Sequence, residues 1–340
     1  MNEQLFSLPF DQFQRYFILQ QCLQMVKDHE TIPCLSLIDV GGHPGVLSDF
    51  LTEDNVTILD SQPCDRPNYV RADACDLPFK DEKFDVVTTV DVFEHISSAK
   101  RTTFLKELFR VSKEYIILAA PFDSGEVSLA EEILFEFVKK ILGDDFAKVH
   151  PLKEHIENGL PSQDALLTRI EQEDAAHITF PNGQLYNWMT LNLIKHYIYS
   201  IPQSSDLEKM LDSYYNQYLV SYDVGEPAYR TFFVISKSKK EAVLERISTS
   251  FNQKEQTENA GDQLGFGASL PLFELFLTLF RTKADILVSQ GKDKDMIDMI
   301  DRLEQRMSEL EQHIGLVIEA SHNDTSNTAK SVLRRLKKWS

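Results

Sequence analysis

Cysteine is sparse and unpatterned. Cys22, Cys34, Cys64 and Cys75 are scattered through 340 residues, and no two form a Cys-x-x-Cys pair. They read as free thiols in a reducing compartment rather than as a disulfide framework. Positive charge is also in deficit: 35 Lys and Arg face 53 Asp and Glu, a net charge of −18. Nucleic-acid phosphates require basic partners, so a nucleic-acid substrate is disfavoured. Long hydrophobic runs are missing. The most apolar late stretch, Leu270 to Phe280, is too short to cross a bilayer and contains Glu274. No basic segment followed by an apolar one opens the chain, so no secretory signal is expected and the expected location is cytoplasmic. What remains is ordinary for a globular protein, with 42% hydrophobic and 26% charged residues. The length allows one large or two modest domains.

Against that background one segment stands out. Asp39-Val40-Gly41-Gly42-His43-Pro44-Gly45 follows the apolar Leu35-Ser36-Leu37-Ile38 and precedes a helix-like Val46 to Leu51. The order is strand, glycine turn, helix. Glycine admits positive φ and lets a ligand approach without meeting a Cβ. Such a turn at the carboxyl end of a central strand is where open α/β sheets hold nucleotides. Val56-Thr57-Ile58-Leu59-Asp60 reads as a second strand ending in an acid, 21 residues after Asp39, a spacing that suits ribose hydroxyls. Further strands are predicted at 69–74, 84–91, 115–121, 177–183 and 229–236. The earlier ones are apolar and mostly unalternating, as in a sheet covered on both faces. A dinucleotide site would require Gly-x-Gly-x-x-Gly, which the loop does not contain. Pro44 also lacks the N–H that a pyrophosphate would use.

Four motifs in this order resemble the class I S-adenosylmethionine-dependent methyltransferases, of the type 11-like kind. They are Asp39 to Gly45; Asp60; Asp73-Ala74-Cys75-Asp76-Leu77-Pro78-Phe79; and Phe84-Asp85-Val86-Val87 running into Asp91-Val92-Phe93-Glu94-His95-Ile96. The resemblance is strong over 35–121 and weak over 122–238. It implies an α/β, Rossmann-like seven-stranded mixed sheet flanked by helices, with a last antiparallel strand. It implies S-adenosylmethionine as cofactor, with Asp39, Gly41, Gly42 and Gly45 under its methionine part. Asp60 falls on the ribose, Asp73 and Ala74 on the adenine, and Asp91 toward the reacting methyl. His43 departs from the family pattern, which has glycine there. Only Ser61 to Asn68 separate the second and third strands, and Pro63 and Pro67 oppose a helix. The usual helix is expected to be missing and the sheet covered there by the N-terminal helix (9–28) or the C-terminal half.

Residues 122–176 interrupt the α/β rhythm and read as a helical insertion after strand five, placed to act as a lid. Its His150-Pro151-Leu152-Lys153-Glu154-His155 segment, ending in Gly159-Leu160-Pro161, is similar to inserts in bacterial methyltransferases that resemble glycan-modifying, cell-surface-associated enzymes. An acceptor hydroxyl benefits from a general base. The catalytic candidates are Glu94, His95, His150 and His155. If 152–157 is helical, Glu154 and His155 point apart and only one should face the site. No His-x-x-x-His spacing is present, so no metal is expected.

Residues 246–268 read as a Gln/Asn/Glu/Gly-rich linker. Beyond it Met296, Ile300, Leu303, Met307, Leu310, Ile314 and Val317 form a heptad seam, so 269–320 is expected to be a helical segment and C-terminal coiled coil supporting a homo-oligomer. The basic amphipathic tail, 321–340, suits peripheral contact with an anionic inner membrane surface. The expected function is methyl transfer to a small-molecule or glycan-linked acceptor, through oxygen, by a domain spanning 1–245. The alternative is a weakly active or inactive assembly module.

Overall fold

Seven strands make one mixed sheet in the order β3-β2-β1-β4-β5-β7-β6. They are β1 (Ser36–Val40), β2 (Asn55–Asp60), β3 (Tyr69–Arg71), β4 (Phe84–Val90), β5 (Ser112–Ala120), β6 (Ala176–Gln184) and β7 (Ala228–Ser236). The computed structural model describes residues 3–202 and 204–258, within the compact unit Met1–Ala268. The expected coiled coil, basic tail and end of the linker lie outside the described residues. Strands β1 to β5 pair in parallel, while β7 runs antiparallel to both β5 and β6. The strand order reverses between β1 and β4, and their carboxyl ends open the crevice where α/β sheets bind ligands.

The helices follow from where apolar side chains fall. On one face Ile38, Val40, Leu59, Val87, Ile116, Leu118, Phe233 and Ile235 share a core with Phe104, Leu105 and Leu108 of α3 (Arg101–Val111). The other face carries α1 (Phe10–Glu30), whose Phe13, Tyr16, Leu19 and Leu23 are buried. The helix missing between β2 and β3 is indeed absent. That segment is tied down by Arg66, whose guanidinium meets both oxygens of Asp49 on α2 (Leu47–Phe50) at 2.7 and 2.8 Å.

The insertion divides in two. Helices α4 (Gly125–Leu142), α5 (Asp144–Ala147) and α6 (Pro151–Asn158) form a cap. The cap has its own small core: Val127, Ala130, Leu134, Val138 and Leu152 pack on Leu185 and Trp188 of α8 (Leu185–Tyr199) and on Tyr229 of β7. Trp188 stacks on Tyr229 with ring centroids 3.7 Å apart. By contrast α7 (Gln163–Gln172) buries Leu166 and Ile170 in the main core beside α3. The expected lid of 122–176 is therefore corrected to α4–α6. After α8 come α9 (Ser205–Tyr214) and irregular turns to Tyr222.

The expected linker is corrected too. Helix α10 runs Glu241–Glu258. Val243, Leu244, Ile247 and Phe251 fall at helical spacing and are buried, and Phe251 stacks on Phe180 at 4.2 Å. Gln and Glu, which helped to suggest a linker by composition, are good helix formers once such a stripe is present. Replacing Phe251 by Ala is expected to destabilise the fold by about 3 kcal/mol. Chemical denaturation of the full chain checks this; a linker residue would show no change.

Candidate active site

Three acids stand along the carboxyl edge of the sheet. Asp39 in β1 is buried; one oxygen accepts from Thr88 Oγ1 at 3.0 Å and the other faces Tyr16 Oη at 3.5 Å. Burial pushes its carboxyl up to about 7, with the Thr88 hydrogen bond opposing. Asp60, ending β2, accepts the N–H of His43 at 3.2 Å and of Gln62 at 3.0 Å. Asp73, beyond β3, accepts the N–H of Cys75 at 2.9 Å and pairs with Lys100 at 3.3 Å, which together hold its carboxyl below the usual range. Ala74 follows it. His43, the departure in the glycine loop, thus serves through its backbone by fixing the Asp60 carboxylate.

The loop glycines are required by close approach. Gly41 has φ +78°, and a Cβ on it would lie 2.3 Å from a Val92 methyl; one on Gly42 would lie 2.4 Å from an Asp39 oxygen. Gly45 has φ +90° and faces Ile58. The loop is drawn onto β2, where Leu59 O accepts from Gly41 N–H at 2.7 Å and Gly42 N–H at 3.2 Å.

Asp91, which the resemblance turns toward the reacting methyl, is held in a buried ion-pair network. Its carboxylate accepts Arg230 Nε at 3.0 Å, Arg230 Nη2 at 2.8 Å and Arg15 Nη1 at 2.6 Å. Burial alone would raise its pKa, but Arg230 and Arg15 hold it down to about 2. Its backbone sits at φ +53°, uncommon for a residue with a side chain. Arg230 also donates to Gln14 Oε1 at 2.5 Å and Asn182 Oδ1 at 3.3 Å. Gln14 continues through Tyr215 to the buried Asp223. Sequence reading missed Arg15 and Arg230. The available signal was an arginine inside the apolar strand Tyr229 to Ile235, a charge that burial tolerates only with a partner.

The catalytic candidates separate into two groups. His95 Nδ1 meets Glu154 Oε2 at 2.8 Å, and His95 Nε2 faces His155 Nε2 at 3.3 Å. His155 Nδ1 meets Glu131 Oε1 at 2.8 Å, an oxygen that also accepts the Tyr229 hydroxyl at 2.9 Å. Glu154 and His155, neighbours on α6, thus meet the two ring nitrogens of His95. Glu94 lies beside them, buried, with Oε2 lacking any partner. Burial and the nearby Asp91 charge push its carboxyl well above the ordinary range. Burial and His155 lower the pKa of His95, against Glu154. His150 stands apart from this cluster. It caps α6 by accepting Leu152 N–H and pairs with His196 at 3.0 Å, and burial with His196 brings it to about 4. Its contacts hold the start of α6 against α8.

The arrangement suits a cofactor with hydroxyls and an amine and no phosphate. The acids accept hydrogen bonds, the glycine turn admits close approach, and Arg15 Nε is buried with no partner, leaving one donor for a carboxylate. Residues 51–118 match the family model described as a methyltransferase domain. No curated protein matches the sequence. Among solved structures the chain is similar to magnesium protoporphyrin IX methyltransferase of Synechocystis PCC 6803 with bound SAH, at 12% identity over 66% of this chain and 82% of that one, TM-score 0.38. It is also similar to a SAM-dependent methyltransferase of Thermotoga maritima, at 14% identity over 69% and 99%, TM-score 0.34. The match to a methyltransferase domain runs from the end of α2 through most of β5, the part of the chain that carries Asp60, Asp73 and Asp91.

Asp39 gives a pH signature. Its unfolded carboxyl titrates near ~3.9 and its folded one near 7. Between these values the native state binds more protons, so stability falls as pH rises. Asp39→Asn is expected to remove that slope and to be more stable than the parent chain above pH 7, as read by urea denaturation at a series of pH values. An unchanged slope would place the titration elsewhere.

Proposed function

We propose that the protein transfers the methyl group of S-adenosylmethionine to an oxygen of a small-molecule or glycan-linked acceptor. The observation that carries the reading is His95. It lies in the turn after β4, its Nδ1 meets a carboxylate, and its Nε2 faces His155 of the cap. The bound cofactor supplies the methyl and its own leaving group, so the protein's work is alignment and proton handling. Asp60 would hold the ribose hydroxyls, Asp73 and Ala74 the adenine end, and Asp39 with Gly41, Gly42 and Gly45 the amino-acid end. The Glu154 carboxylate fixes the His95 tautomer and leaves Nε2 to receive the acceptor's proton. Burial keeps the ring neutral, the form in which it can act as a base.

A cap resting on the turn after β4 suits a small acceptor or the end of a glycan. An assembly module has no use for the buried acids and unpartnered polar atoms of this edge, which cost stability. Peripheral contact with a membrane surface and self-association remain proposals carried by the tail and heptad sequences alone. No helix among the described residues is long and apolar enough to cross a membrane.

S-adenosylhomocysteine should raise the thermal midpoint of the full chain, its free energy of stabilisation reaching about 2.7 kcal/mol at a hundredfold excess over Kd. Asp60→Ala should abolish that shift while the unliganded midpoint moves little. His95→Gln should keep the shift and lower methyl transfer to the acceptor by about 10²-fold or more. A folded protein that shows no shift at millimolar ligand refutes the reading.

A further inference from the structure

The two histidine pairs of the cap differ in how their protons can be placed. In His150–His196 every ring nitrogen has a consistent role with both rings neutral. His196 Nδ1–H donates to Asn192 O at 2.7 Å, His150 Nδ1 accepts Leu152 N–H, and His150 Nε2–H donates to His196 Nε2. The His95–His155 pair does not close in this way. Glu154 and Glu131 each accept at an Nδ1, so both Nδ1 atoms carry hydrogen. Two neutral rings so arranged turn their Nε2 lone pairs toward each other across 3.3 Å. Either a proton on one Nε2 or a metal ion held by both resolves the contact. A third donor is at hand: atoms of Glu94, His95 and His155 all lie within 4.8 Å of one another, and Glu94 Oε2 is buried without a partner.

We infer that Glu94, His95 and His155 form a binding site for a divalent ion of the Zn²⁺ class. A tetrahedral zinc ion holds imidazole nitrogens at about 2.0–2.1 Å, which sets two of them about 3.3 Å apart, the separation found here. Two histidines and a glutamate make a three-ligand set that leaves a fourth position open. Glu154 and Glu131 stand behind the two rings as the carboxylates that orient metal-ligating histidines and raise their basicity. A His-x-x-x-His spacing concerns ligands on one helix. The fold instead joins positions 60 residues apart, bringing the cap onto the turn after β4. At His95 Nε2 an ion and the acceptor's proton are alternatives. With the ion bound, an acceptor hydroxyl on the open position is acidified by the metal and releases its proton to solvent. That last role rests on the methyl-transfer reading; ion binding does not.

The test uses the full chain, freed of metal with a chelator, and Zn²⁺ alone as the titrant in calorimetry. One ion per chain is expected. His155→Gln should weaken binding at least a hundredfold, and Glu131→Gln, which removes the carboxylate orienting the His155 ring, by about 10–100-fold. His196→Gln should bind as the parent does. Circular dichroism checks that each variant is folded. Because His155 and Glu94 are buried, Co²⁺ on the unmutated chain gives a second readout. A visible d–d spectrum of low-coordinate nitrogen and oxygen ligation, without a thiolate charge-transfer band, is expected. Absence of stoichiometric zinc, a thiolate band from the cysteines, or unchanged affinity in folded His155→Gln would each overturn the site. None of these readouts uses S-adenosylmethionine, so their failure is distinct from failure of the methyl-transfer reading.

Discussion

Two guanidiniums share one carboxylate at the carboxyl end of β4, and the site is organised around that contact. Arg230 comes from β7, Arg15 from α1, and Asp91 from the turn that carries Glu94 and His95. Each is too buried to keep its charge without the others. Removing one member of such a group leaves an uncompensated charge, at about 3–5 kcal/mol. The remaining Arg230 donor is satisfied by Gln14 and Asn182, and through Gln14 the network reaches Asp223. Asp223 in turn accepts Gln184 N–H and Asn187 Nδ2, which set the end of β6 and the start of α8. The N-terminal helix, the antiparallel strands and the base of the cap are thereby referenced to one point.

That contact also explains the conformation of Asp91. A non-glycine residue at positive φ persists only where surroundings over-determine it. Three charged hydrogen bonds do so here, and the turn they fix delivers Val92 against Gly41 and His95 under the cap. The glycine loop and the catalytic candidates, far apart in function, are therefore shaped by the same short segment. Gly41 must lack a side chain because Val92 occupies its space, and Gly42 because Asp39 does.

The architecture was readable because its signals are local. Unalternating apolar runs gave the strands, Pro63 and Pro67 announced the lost helix, and Asp39, Asp60 and Asp73 are each placed by the strand that precedes them. What the sequence concealed depends on distance in space. Composition made 246–258 look like linker, since Val243, Leu244, Ile247 and Phe251 need the sheet to show themselves as a buried stripe. Asp91 looked like a ligand contact because its partners lie 76 and 139 residues away. His150 and His155 were equivalent as letters in one motif, and only their neighbours separate them. His196 completes the first with neutral tautomers, while the second meets His95 and two glutamates.

The cap then has a definite relation to chemistry. Its attachment runs through the Gly159-Leu160-Pro161 segment. Arg101 of α3 grips the Gly159 and Leu160 carbonyls, Pro161 O accepts Asp123 N–H at 2.9 Å, and Asn158 reaches His95 O at 3.3 Å. Glycine and proline there are a clasp rather than a mere turn. Glu94 and His95 belong to the sheet side, whereas Glu131, Glu154 and His155 belong to the cap. Neither side alone orients the His95 ring, and neither alone presents both Nε2 atoms. The polar centre therefore exists only where the two sides meet, and an ion held by both rings would bind both at once.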